Sequence, residues 1–176
     1  MSNDIRIAIS GKSGCGNSTV SGIVAERLGL VLINYTFKSV AEELGLSFAE
    51  VCRRAEEDTS YDYMVDKRQV ELAKANPCVL GSRLAVWLLD NADLKVYLEA
   101  DPATRARRIQ KRECGDFEKI LEETLERDKK DRARYLKLYG IDIDDYQFVD
   151  MIIGTEDKAP EEIARIIINR VTEKAG

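Results

Sequence analysis

The segment Gly11-Lys12-Ser13-Gly14-Cys15-Gly16-Asn17-Ser18 follows a β-branched run at 5–10 and opens an apolar-periodic stretch that continues to about Leu28. Strand, glycine-rich loop and helix in that order are the setting of the phosphate-binding pattern G-x-x-x-x-G-K-[ST]. Gly11, Gly16 and Ser18 match it. The glycines let the backbone turn its amides around phosphate oxygens, and the helix that follows offers its positive N-terminus. Gly11, Lys12, Ser13, Gly14, Cys15, Gly16, Asn17, Ser18 and Thr19 are therefore candidate phosphate-binding residues, with the Ser18 hydroxyl a candidate Mg2+ ligand.

Asn17 departs from the pattern, because it stands where the pattern has lysine. An amide donates a hydrogen bond but brings no charge. Lys12, inside the loop, is a candidate to supply the cation. Certain divergent phosphate loops carry an additional lysine at that second position.

The rest of the chain alternates strand and helix. Strands are expected at 30–34, 78–82, 94–100 and 148–154, and helices near 37–44, 47–57, 62–75, 103–113, 117–138 and after Pro160. Mostly apolar strands between helices predict an α/β fold, a doubly wound parallel sheet covered on both faces. At 176 residues, with no repeat or linker, one domain over 1–176 is expected. The N-terminal MSNDIRIAIS is too short and acidic for a signal peptide, and no apolar run approaches the roughly 18 residues of a membrane span, so a cytoplasmic protein is expected. Cys15, Cys52, Cys78 and Cys114 have no CxxC spacing and read as reduced thiols. The absence of histidine excludes imidazole chemistry and Ser-His triads. A formal net charge of -5 disfavours a nucleic-acid surface, so an anionic ligand must meet locally gathered arginines.

Four blocks show where they gather: DKRQVELAK at 66–74, VLGSRLAVWLL at 79–89, DRARYLKLYGIDIDD at 131–145 and VDMIIGTE at 149–156. Together with the phosphate loop they resemble the short, archaeal-type cytidylate kinases, from about Ile5 to Val171. The resemblance implies a phosphate loop on a doubly wound core, a small monophosphate-binding region and a helical arginine lid at about 103–138. It also implies transfer of the γ-phosphoryl of ATP to CMP or dCMP with Mg2+, in a monomer or weak homodimer that meets small nucleotides and neither nucleic acid nor membrane.

Within that resemblance Arg127, Asp131 and Arg134 match R-D-x-x-D-x-x-R, whose arginines meet phosphate and whose aspartate meets the cytidine side. Spacings of four and three put them on one helix face, which as bare spacing fits a solvated face equally well. Arg105, Arg108 and Arg112 correspond to the lid arginines and, with Arg134, would close over the transfer zone. Arg83 corresponds to the arginine that grips the monophosphate, although Gly81 and Ser82 replace the acid and glycine expected before it. Lys38, Asp66, Arg68 and Gln69 fall in the acceptor region, and Thr155 near the adenine of ATP. Asn17 and Gly81 leave two alternatives open: a nucleotide-binding protein without turnover, or a kinase of another small hydroxylated substrate.

Overall fold

The computed structural model describes residues 5–175, so residues 1–4 and 176 of the expected 1–176 domain lie outside the described residues. Five strands, β1 (Arg6–Gly11), β2 (Val31–Ile33), β3 (Cys78–Gly81), β4 (Leu94–Glu99) and β5 (Met151–Gly154), form one sheet in the order β2-β3-β1-β4-β5. Every pairing is parallel. Among the described residues eight helices connect or follow them: α1 (Asn17–Leu28), α2 (Phe37–Leu44), α3 (Phe48–Glu57), α4 (Ser60–Ala75), α5 (Ala85–Leu88), α6 (Pro102–Glu113), α7 (Phe117–Tyr139) and α8 (Pro160–Ala175).

Strand alternation builds two cores. Ile7 and Ile9 of β1 point to one face with Val79, Val96 and Leu98, where Val20 and Val24 of α1 and Ile163 and Ile167 of α8 cover them. Ala8 points to the other face with Leu80 and Ile33, under Ala73 of α4 and Val86 and Leu89 around α5. Burial on both sides explains why these strands read as continuous apolar runs. Helix ends follow local chemistry. Ser47, Asp101 and Asp116 accept hydrogen bonds from the first turns of α3, α6 and α7, while Gly29, Gly45 and Gly140 close α1, α2 and α7 in the left-handed region.

Most boundaries shift by one or two residues, one strand starts later than the sequence reading has it, and one helix is additional. Strand β5 begins at Met151 rather than 148, because Val149 N–H closes a turn onto Tyr146 and the Asp150 carboxylate, not its backbone, takes the Lys95 N–H at 2.7 Å. Helix α5, a single turn, carries no readable periodicity. Among the described residues no helix is long and apolar enough to cross a membrane.

Candidate active site

The strand order changes direction at β1, whose neighbours β3 and β4 are reached by connections running to opposite sides. Ligands of open α/β sheets bind beyond the carboxyl ends of strands at such a point. Here Ile9 pairs with Gly81, so the loop after β1 and the residues after β3 open into one crevice. A cleft of about 890 Å³ lies there, lined by the whole of Gly11–Thr19 together with Asp66, Gln69, Arg83, Arg108, Arg112, Asp131 and Arg134.

The phosphate loop takes its shape from Gly14 and Gly16, at φ of 84° and 90°, backbone that a side-chain-bearing residue rarely adopts. Gly14 is also pressed against α6, since a Cβ there would lie 2.9 Å from the Arg105 carbonyl oxygen. Helix α1 starts with no acidic residue in its first turn, which leaves its dipole open to an anion. Ser18 is exposed in that turn.

The arginines separate by depth. Arg105 is only 2 % exposed and does not line the cleft. Its guanidinium donates to the Ser13 carbonyl at 3.2 Å and grips the Asp128 carboxylate through both terminal nitrogens. The expectation that it closes over the transfer zone is corrected: it braces the loop from behind, because the side chain is consumed by the packing of α6 on α7. Arg108 reaches the cleft wall and ties the Gly14 carbonyl at 3.3 Å to the Thr155 hydroxyl at 2.8 Å and the Thr155 carbonyl. Thr155 itself is fully buried. Arg112 is exposed at the rim. Arg127 stands outside the lining with Nη1 3.3 Å from Ser13 Oγ.

On the acceptor side, Arg83 pairs with Asp131 and Arg134 with Asp62. Lys38 and Arg68 are exposed outside the lining, and Arg68 faces Glu71 of its own helix at 3.8 Å. Neither is brought to the cleft, because each points away from the buried stripe of its helix. That stripe on α4 is Asp62, Val65, Gln69 and Ala73. Asp62 Oδ2 and Gln69 Oε1 are buried acceptors with no partner among the described residues. Sequence reasoning missed Asp62, and its signal was a carboxylate placed in step with an apolar helical stripe. It also missed Lys158, a cation on the cleft wall that donates to the Gly154 carbonyl at 3.2 Å.

Burial pushes the Asp66 carboxyl up to about 6, with the neighbouring Asp62 charge adding to the rise, against a 2.6 Å hydrogen bond from the Tyr139 hydroxyl. A carboxyl whose folded pKa lies above its unfolded value favours the fold while protonated and loses that contribution as pH rises through the folded pKa. Asp66→Asn should thus match the parent in stability near pH 4 and exceed it progressively toward pH 7, by up to about 3 kcal/mol. Thermal melts of both proteins across that range measure it; a constant difference would show an ordinary Asp66.

Residues 6–157 match the family described as cytidylate kinase-like. The chain belongs to that family. It is 42% identical over 174 residues to cytidylate kinase 2 of Borreliella afzelii, spanning 97% of this chain and 98% of that one. It is 41% identical over 163 residues to the cytidylate kinase of Pyrococcus horikoshii, spanning 92% and 85%. Among solved structures, shikimate kinase from Bacteroides thetaiotaomicron superposes with a TM-score of 0.68 at 15% identity, covering 96% of this chain and 98% of that one. Deoxyadenosine kinase from M. mycoides, with bound dATP, gives 0.56 at 17% identity, covering 96% and 100%. These two share the fold. Family membership places the chain among the nucleoside monophosphate kinases.

Proposed function

We propose that the chain transfers the γ-phosphoryl group of ATP to CMP or dCMP, giving ADP and CDP or dCDP. The observation that carries this reading is the cleft itself, where a phosphate loop meets two arginine-carboxylate pairs and two unpartnered buried acceptors. The 4-amino group of cytosine has N–H donors to offer one of these acceptors, Asp62 Oδ2 or Gln69 Oε1, whereas uracil presents a carbonyl at the same place. A site built to receive those donors rejects the analogue that lacks them far more strongly than an apolar pocket would.

Phosphoryl transfer requires positioning and neutralisation rather than covalent chemistry from the protein. Loop amides and the α1 N-terminus hold the donor phosphates, and Arg108 fixes that loop to Thr155 beside the adenine side. Arg83 and Arg127 hold the acceptor phosphate, each exchanging its present partner for a phosphate oxygen, while Arg112 and Arg134 neutralise charge across the gap. Mg2+ usually keeps several waters and takes one or two protein ligands beside substrate phosphates. The residues fit an ion carried in by the nucleotide, with the exposed Ser18 hydroxyl as its protein contact; among the described residues no cluster of three acidic, cysteine or histidine side chains forms a cage.

Incubation of the protein with MgATP and a panel of nucleoside monophosphates, followed by ADP formation, tests the reading. CMP or dCMP should exceed UMP, AMP and GMP; equal or better turnover with AMP, GMP or shikimate would overturn it. The engagement of Lys12 by Asp144 favours a second reading, a nucleotide-binding protein without turnover. That reading predicts MgATP binding with no ADP formed from any acceptor.

Arg83→Ala and Arg127→Ala should each lower kcat/KM for the acceptor by about tenfold or more while leaving the KM for ATP nearly unchanged. Charge-assisted contacts to phosphate are worth roughly 1.5–3 kcal/mol. Unaltered acceptor kinetics in both variants would reduce these arginines to surface charges.

A further inference from the structure

Asn17 and Gly81, the two departures from the expected pattern, meet through a third residue. Ser21 lies one helical turn after Asn17 on α1 and is fully buried. Its hydroxyl donates to Asn17 Oδ1 at 2.9 Å. A Cβ on Gly81 would lie 2.5 Å from Ser21 Oγ and 2.8 Å from Ser21 Cβ, with Asn17 Oδ1 3.6 Å away. One small volume at the cleft floor therefore holds Ser21 and the Asn17 oxygen, and it admits no side chain at 81.

The consequence lies in the direction of the amide. With Oδ1 committed to Ser21, the Asn17 NH2 group is the free end, and it has no partner among the described residues. Asn17 lines the cleft. A carboxamide that turned its oxygen to a phosphate would repel it, whereas one that turns its nitrogen donates to it. We propose that Asn17 is a neutral phosphate-contacting residue for the donor nucleotide and that Ser21 is the positioning residue that fixes its orientation, with Gly81 giving Ser21 its space. This rests on reading the cleft as an ATP site, and it deepens that reading by giving the lysine position a working donor. Replacing a lysine and an acid together also leaves the local charge balanced, since one positive and one negative group are absent at once.

Calorimetric titration of MgATP without any acceptor tests the unit. Asn17→Ala and Ser21→Ala should each raise Kd by about threefold or more, the loss of one neutral hydrogen bond. The double variant should be no weaker than the weaker single one, because Ser21 acts only through Asn17. Asn17→Asp keeps the shape but presents acceptor oxygens and charge, and should raise Kd by about thirtyfold or more. Ser21→Gly, which adds no volume beside Gly81 and removes the donor, serves if Ser21→Ala fails to fold, and denaturation curves establish folding for each variant. Parent-like binding in the folded Ser21 variants, multiplying effects in the double variant, Asn17→Asp no weaker than Asn17→Ala, or a parent that does not bind MgATP would each overturn the proposal. A parent that shows the expected binding pattern but phosphorylates neither CMP nor dCMP would support it and overturn the acceptor reading instead.

Discussion

Arg105→Ala should lower the unfolding free energy by roughly 3–5 kcal/mol, the usual effect of breaking a buried ion pair from one side. The side chain is 2 % exposed and its partner Asp128 only 16 %, so truncation strands a carboxylate in a poorly solvated place and opens a void beneath the phosphate loop. The Ser13 carbonyl loses its donor at the same time. Gly14, which packs on the Arg105 backbone, loses the rigidity of that support, and MgATP affinity should fall with stability. The pair itself is weak evidence of net stabilisation, because Arg105 Nε is a buried donor with no partner among the described residues. Replacing both ends, as Arg105→Met with Asp128→Leu, should recover much of the loss. Urea unfolding with midpoint and slope compared across parent, single and double variants measures this. A single variant that unfolds like the parent while turnover collapses would restore Arg105 to the transfer zone.

Lys12→Ala should reduce kcat by about a hundred- to a thousandfold, the usual effect of removing one preorganised charge from a transition state. The β- and γ-phosphates carry more negative charge than loop amides and one ion neutralise, and Asn17 supplies none. Lys12 is placed in the loop that must meet them, but its Nζ donates to Asp144 at 2.6 Å. Release from that carboxylate is inexpensive. The pair is partly exposed, at 27% and 40%, and such pairs contribute about 0–1 kcal/mol. Arg132 stays beside Asp144 at 3.4 Å and holds Asp142 as well, so the acid is not abandoned. Asp144→Asn should consequently leave kcat within about threefold of the parent, and Asn17→Lys should restore part of the Lys12→Ala loss. Steady-state kinetics in all three variants decide the matter. Equal, small losses in Lys12→Ala and Asp144→Asn would show that the lysine only fastens the loop to the 140–150 segment.

Apart from α5, the helices and strands were legible because most of their boundaries are set locally. Caps such as Asp101 and Asp116, closing glycines such as Gly45 and Gly140, and strands buried on both faces all leave marks at fixed spacing. The arginines of α6 show where spacing stops. Arg105, Arg108 and Arg112 share one face at intervals of three and four, yet the first is buried, the second spans two loops and the third is exposed. Depth along a helix axis depends on what the helix rests against, here Gly14, and periodicity carries no record of that. Asp62 was obscured for a related reason. A buried polar residue in an apolar stripe is recognised only when its partners, or their absence, are seen in space.

The contact between Gly81 and Ser21 also constrains how this sequence can change. An acid introduced at 81 drives its Cβ into Ser21, and exchanging Ser21 for alanine still leaves a Cβ 2.8 Å away. Only glycine at 21 clears the space, and in a helix interior it is about 0.8–1.0 kcal/mol less favourable than alanine. An acid at 81 is therefore reached only through a less stable intermediate, whether residue 81 or Ser21 changes first. Positions 81 and 21 are epistatic, and through the Ser21 hydrogen bond the constraint extends to Asn17.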